Sequence, residues 1–152
     1  MAYTSRRLPL PLHDNGVPFA RVDLQFHELD HGGDSYEGRI FFNRPDADLR
    51  TAKELGEGYA GSLYVFGHPH CWGDPGHCSV PPGPLHGFDH RTPHQLVPQL
   101  HVVEVTDAVQ RLVESRARTV TVTVLPVVRR GRRRRVDDSQ LRFARLSLVS
   151  YD

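Results

Sequence analysis

Proline and glycine set the strongest limit on how this chain can fold. The 152 residues include twelve prolines and thirteen glycines. Proline removes a backbone donor and both residues favour turns, so short strands are favoured over long helices. Mean hydropathy is −0.46, and no apolar run approaches the ~20 residues that span a bilayer. The N-terminus has no apolar stretch typical of a signal peptide, which predicts a cytoplasmic protein without membrane contact.

Alternating apolar and polar residues predict six short strands. They lie at residues 21–26, 36–42, 59–66, 101–105, 119–128 and 141–151. Thr106 is a good N-cap for one short helix, and residues 47–57 form either a short helix or a loop. The fold class expected is mainly β, an antiparallel β-sandwich or open barrel with one short helix and a long His/Cys-rich loop. Residues 1–18 are expected to form an extended arm, and residues 19–152 a single domain.

Two details of strand geometry follow from the same patterns. Pro126 cannot donate to a ladder, which predicts that its strand lies at a sheet edge or contains a bulge. In the last strand the apolar phase switches between Phe143 and Leu146, which a bulge near Ala144 would explain.

Periodicity is absent from residues 67–98, which hold most of the prolines, six of the ten histidines and both cysteines. Three imidazoles and two thiols lie within eleven residues of this loop. Imidazole suits copper and zinc, and thiolate favours Cu(I) or Zn(II). The region 59–101 is therefore expected to bind a transition metal, copper or alternatively zinc. The predicted ligands are His68, His70, Cys71, His77 and Cys78.

Other roles are open to these residues. Cys71 and Cys78 could instead form a disulfide or remain as free buried thiols, although the lack of a signal peptide weakens the disulfide alternative. Later histidines of the region could complete a metal site or lie at the surface; they are His86, His90, His94 and His101.

Residues 27–31 read His-Glu-Leu-Asp-His and match the H-E-x-x-H pattern of zinc proteases. That chemistry requires a helix, so that His27 and His31 share one face and Glu28 acts as the base. The alternative functional hypothesis is therefore a small zinc-dependent hydrolase. Gly32 and Gly33 follow at once and the preceding residues alternate as a strand, which favours a strand end whose His27 or His31 lies near the metal loop.

Six arginines fall within residues 129–135, between two predicted strands. Such like charges repel one another and stay solvated, which predicts an exposed hairpin. An acidic protein surface is the partner expected for it. Nucleic acid is disfavoured because no aromatic residue is interleaved with the arginines.

Several segments, in their order along the chain, resemble a known family. They are residues 21–24, 36–43 (YEGRIFFN), 59–67 (YAGSLYVFG), 105–108 (VTDA) and 120–128. Together they are similar to the C-terminal β-sandwich domain of tyrosinases and plant polyphenol oxidases, over residues 20–150. In that family an "AGS" strand leads to a His-containing loop, a "TDAL"-type helix and a "VTLVP"-type strand.

This resemblance implies an accessory domain rather than a catalytic one. The family's type 3 copper centre is held by six histidines of a helical bundle, and its sandwich domain covers the entrance to that copper. The present chain departs from the pattern by carrying the His/Cys-rich loop. The expected function is a copper-binding accessory protein that acts with a separately encoded copper oxidase. A third hypothesis is an interaction module without metal, whose loop is tied by a disulfide.

Overall fold

The computed structural model of the chain describes residues 2–11, 19–68 and 97–151. These residues form antiparallel sheets and one α-helix, which confirms the predicted mainly β, sandwich-like class. The elements are, in chain order, β1 (Tyr3–Thr4), β2 (Leu8–Pro9), β3 (Arg21–Leu29), β4 (Tyr36–Phe42), β5 (Tyr59–Val65), β6 (Gln99–Glu104), α1 (Thr106–Glu114), β7 (Thr119–Val120), β8 (Val122–Arg130), β9 (Arg133–Val136) and β10 (Arg145–Tyr151).

The larger sheet has the order β1-β8-β4-β5, and β9 lies beside the far end of β8. β4 pairs with β8 along its whole length, from Tyr36 opposite Val128 to Phe42 opposite Val122. β1 and β9 share the other edge of β8. β8 is therefore a central strand.

Pro126 lies in the short interval of β8 between the residues paired with β1 and those paired with β9. Its carbonyl accepts a hydrogen bond from the Asp137 amide at 2.9 Å. In an antiparallel strand the nitrogen of a residue points to the same edge as its carbonyl. The nitrogen of Pro126, which carries no hydrogen, therefore points to the gap between β1 and β9. The predicted edge position is wrong, because β8 has partner strands on both sides. Pro126 is tolerated there because it lies opposite the gap between β1 and β9.

The second sheet has the order β10-β3-β6, and a short β2–β7 ladder adjoins it. One hydrophobic core contains inward-facing residues of both sheets together with α1. Its fully buried members include Leu24, Phe26, Ile40, Val109 and Val124. A smaller cluster around Phe41 and Leu125 covers the outer face of the larger sheet.

β3 continues to Leu29, beyond the predicted end at residue 26. Its register shifts between Phe26 and Leu29, and Glu28 has a left-handed φ of 55°. Residues 27–29 of the H-E-x-x-H match are thus strand rather than helix. The helix that the H-E-x-x-H pattern requires does not form here, so His27 and His31 do not share a helical face as a zinc-protease motif would need.

α1 begins at Thr106, and Val105 occupies the N-cap position without a side-chain cap. The predicted capping role of Thr106 is therefore wrong, because its hydroxyl accepts a hydrogen bond from the Val22 amide at 3.0 Å instead. Residues 47–57 are mostly loop and contain a 3₁₀ turn at Leu55–Glu57. No helix within the described ranges is long and apolar enough to cross a membrane.

The last strand begins at Arg145 and pairs with β3 in continuous register to Tyr151. The predicted bulge near Ala144 is wrong, because Leu141 and Phe143 precede the strand. Residues 2–11 of the predicted arm are extended, and two short stretches of them pair with β8 and β7. Leu10 is 5% exposed and belongs to the main core.

Candidate metal centre

Of the five predicted ligands, His68 belongs to the described residues and lies just beyond the end of β5. His70, Cys71, His77 and Cys78 lie outside the described residues, as do His86, His90 and His94. Within the described ranges, no three His, Cys, Asp or Glu residues form a group that could hold a metal ion. We call residues 69–96, between His68 and Val97, the His/Cys segment.

The chain that leads into the His/Cys segment is bound to the connection between β3 and β4. The Gly67 amide donates to Ser35 Oγ at 2.9 Å, and the His68 amide donates to the His31 carbonyl at 3.0 Å. A Cβ atom at Gly67 would overlap the backbone of residues 33–35. Glycine thus allows the close approach that places His68 beside His31.

The imidazole rings of His31 and His68 pack edge to face, with centroids 5.2 Å apart and planes at 78°. His31 Nε2 lies 3.0 Å from the carbonyl oxygen of Val97. Because a carbonyl only accepts, Nε2 must carry the hydrogen, and the neutral ring then keeps a lone pair on Nδ1. Metal-binding histidines commonly donate their second ring N–H to a backbone carbonyl in this way.

The two described residues that flank the His/Cys segment therefore both contact His31. His68, which precedes the segment, packs against the His31 ring, and the carbonyl of Val97, which follows it, accepts the hydrogen bond of that ring. We call the contacts of His31 with His68 and Val97 the His31 clamp.

His101 lies on β6, opposite Phe26 of β3. Burial lowers the pKa of His101, and the electrostatic interaction with His31 lowers it further. A lowered pKa favours the neutral imidazole, which is the form that binds metals. His101 is thus a third imidazole in the electrostatic neighbourhood of His31.

His27, the other histidine of the H-E-x-x-H match, makes a different contact. Its Nε2 lies 2.7 Å from Ser147 Oγ on β10, on the opposite side of β3 from β6. Of the two histidines, His31 is the one that contacts residues of the predicted loop 67–98, namely His68 and Val97. Sequence spacing could not choose between them, because the choice depends on the bulge at Glu28.

The six arginines of residues 129–135, here called the arginine hairpin, form the end of β8, a turn and most of β9. All six are exposed, which confirms the predicted hairpin. Gly131 has a φ of 61° at the first turn position, as two-residue hairpin turns of type II′ require. Arg130 pairs with Asp34 at 3.0 Å, and Arg135 pairs with Asp137 at 2.7 Å.

Two exposed aromatic residues lie near the arginine hairpin, on the same sheet, and the sequence did not link them to it. Tyr64 and Phe66 are 67% and 87% exposed. No linear pattern links them to the arginines, because they belong to β5 and its extension, and only the sheet order brings them together.

Comparison with family models, curated proteins and solved structures gives no match for this chain. Its function must therefore be inferred from its own residues.

Proposed function

We propose that this chain is a non-catalytic metal-binding β-sandwich protein and that copper is its metal. The ligands in this proposal are His68, His70, Cys71, His77 and Cys78, with zinc as the alternative metal. The observation that supports it most is the His31 clamp. It brings together His68 and Val97, which flank the segment carrying the other four donors, and it pairs the imidazoles of His31 and His68.

The donor set favours copper. Imidazole and thiolate are the ligands that Cu(I) and Zn(II) prefer, and copper binds a given nitrogen and sulfur site more tightly than zinc among divalent ions. The described residues supply two adjacent imidazoles and no complete site. The thiolates that would complete it must come from Cys71 and Cys78.

The biological role we propose is to hold copper for a separately encoded type 3 copper oxidase, in the cytoplasm. The basis is the resemblance of the strand and helix segments to the C-terminal domain of tyrosinases. A bound copper ion would be cargo for that partner. The residues of this chain would bind the ion and limit its access to water.

The proposal is tested by measuring Cu(I) affinity in competition with a chromophoric chelator, using protein without a His-tag. Cys71→Ser/Cys78→Ser is expected to abolish binding. His68→Gln, which removes a ligand, and His31→Gln, which removes the clamp, are each expected to weaken binding about 10- to 100-fold. His27→Gln is the matched control, since His27 contacts Ser147 instead, and its affinity should equal that of the wild type. Unchanged affinity in both His31→Gln and His68→Gln would overturn the proposed site.

A second candidate function is a protein-interaction module without metal, in which Cys71 and Cys78 form a disulfide. The exposed arginine hairpin favours this alternative, because it offers a docking surface that needs no metal. Thiol titration of the same preparations separates the two functions. Metal-free protein with oxidised thiols would favour the interaction module, and reduced thiols with bound copper would favour the metal carrier.

A further inference from the structure

A groove on the outer face of the larger sheet combines aromatic, apolar and cationic side chains. It has a volume of about 290 Å³, and its lining includes Tyr64, Phe66, Val127, Arg129 and Arg134. Glu37 of β4 is paired with Tyr64 of β5 on one side and with Val127 of β8 on the other. Arg129 of β8 is paired with Arg134 of β9. Alternation along the strands therefore places all these side chains on one face. We call this surface the aromatic–arginine groove.

The aromatic side of the groove is open among the described residues. Phe66 is the most exposed large apolar residue described, at 87%, and Tyr64 beside it is 67% exposed. Exposed aromatic residues that adjoin a concave apolar floor are typical of the centres of protein interfaces.

On the cationic side of the groove, two arginine side chains have no carboxylate partner among the described residues. Arg129 and Arg134 make no ion pair with any other described residue, whereas Arg130 and Arg135 are neutralised by Asp34 and Asp137. Arginine presents five donors in a planar fork, which suits bidentate binding of a carboxylate.

We propose that the aromatic–arginine groove docks an acidic segment of a partner protein and takes up one aromatic side chain of that segment. Carboxylates of the segment bind Arg129 and Arg134, while its aromatic ring packs against Tyr64 and Phe66. The groove volume lies just below the range of drug-sized ligand sites, as expected for a single side chain. This docking does not require bound metal.

The charges around the groove favour a protein segment over a nucleic acid. Glu37 belongs to the groove lining, and Asp34 and Asp137 flank the arginine hairpin. A nucleic acid has a phosphate at every nucleotide and would bring some of them against these carboxylates. A net charge of +1 also gives little of the general attraction on which nucleic-acid binding depends. A peptide can place its carboxylates at the arginines and an uncharged residue beside Glu37.

The test uses fluorescence anisotropy with a labelled peptide of Glu and Asp residues around one Trp. Binding to the full chain is expected, with affinity falling as salt rises. Phe66→Ala and Arg129→Gln/Arg134→Gln are each expected to weaken binding about 30-fold, the smallest loss that defines an interface hot spot. Replacing the peptide's Trp by Ala should weaken binding by a similar factor.

Matched controls come from exposed residues elsewhere on the surface. Arg118→Gln/Arg145→Gln removes the same charge, and Tyr151→Ala removes a 43% exposed aromatic ring from the other sheet. Both should bind the peptide as the wild type does. The proposal is overturned if the peptide does not bind, if the controls lose as much affinity as the groove variants, or if a single-stranded oligothymidine of equal charge binds more tightly.

Discussion

Glu37 illustrates how the outer face of the larger sheet accommodates charge. Its carboxylate accepts hydrogen bonds from Arg39 Nε at 3.1 Å, from Ser62 Oγ at 2.9 Å and from Lys53 Nζ. Burial alone would raise the pKa of Glu37, but the hydrogen bonds from Lys53, Ser62 and Arg39 outweigh it and lower the pKa to about 2. Arg39 is itself only 5% exposed, so the carboxylate neutralises a buried guanidinium.

Glu37→Gln is expected to lower the free energy of unfolding by about 2 kcal/mol at pH 7, because it leaves Arg39 without its counter-charge. The folded-state pKa lies below the value of about 4.3 for a glutamate in an unfolded chain. The stabilisation is therefore present above pH ~4 and is lost as the pH falls towards 2. Urea unfolding at pH 7 and pH 3 should show the difference between variant and wild type shrinking at the lower pH.

Glu114→Gln, an exposed position on α1, is the control for removing a carboxylate and should change stability by less than about 0.5 kcal/mol. A Glu37→Gln variant as stable as the wild type at pH 7 would contradict this account of the ion cluster.

At the same scale, His31 shows the limit of reading ligands from spacing. The H-E-x-x-H match drew attention to His31 through a helix that does not form. The role proposed for His31 rests on two hydrogen bonds that involve backbone atoms. The ring of His31 donates to the Val97 carbonyl, and the His68 amide donates to the His31 carbonyl. Backbone hydrogen bonds between distant segments leave no periodic trace in a sequence.

At the scale of the elements, most of the strands were predictable because alternation is strong where one face is buried. β4 begins and ends at the predicted residues, and β5 differs by one residue at its end. The wrong predictions concern residues whose structure is set by contacts with distant parts of the chain and not by their neighbours in sequence. Pro126 fits a central strand because its missing donor faces a gap between β1 and β9. Thr106 bonds to Val22 of another strand instead of capping its own helix.

The bulge in β3 provides a test at this scale. Glu28 adopts a left-handed φ of 55°, which costs a non-glycine residue about 1 kcal/mol. Glu28→Gly is therefore expected to leave stability unchanged or to raise it by up to about 1 kcal/mol. Gln25→Gly, at a regular position of the same strand, should lower it by up to about 1 kcal/mol.

Thermal and urea unfolding of the two glycine variants measure this difference directly. If Glu28→Gly lost as much stability as Gln25→Gly, the left-handed conformation at the bulge would be contradicted. A bulge at this position also explains why His27 and His31 make contacts on different sides of β3.

At the scale of the whole molecule, the N-terminal residues are part of the sandwich. The Ser5 amide donates to the Val122 carbonyl at 2.8 Å, and Ser5 Oγ accepts from the Val122 amide at 2.9 Å. Leu10 fills a place in the main core. The sequence predicted an extended arm at residues 1–18, whereas the pairing of residues 3–4 with β8 depends on an edge that only the assembled sheet provides.

The donors of the candidate metal centre stay a prediction from the sequence, because four of the five lie outside the described residues. The sequence shows that imidazoles and thiols are concentrated in residues 68–78. The close approach at Gly67 and the clamp at His31 join residues from three separate stretches of chain. Their convergence is a property of the fold, as is that of Tyr64 and Phe66 with the arginine hairpin.

Elemental analysis of untagged protein, loaded with copper and then desalted, tests the central claim most directly. About one copper ion per chain is expected in the wild type, as for a single closed site. Essentially none is expected in Cys71→Ser/Cys78→Ser. A full metal equivalent retained by the double variant, or a wild-type chain that binds neither copper nor zinc, would contradict the account.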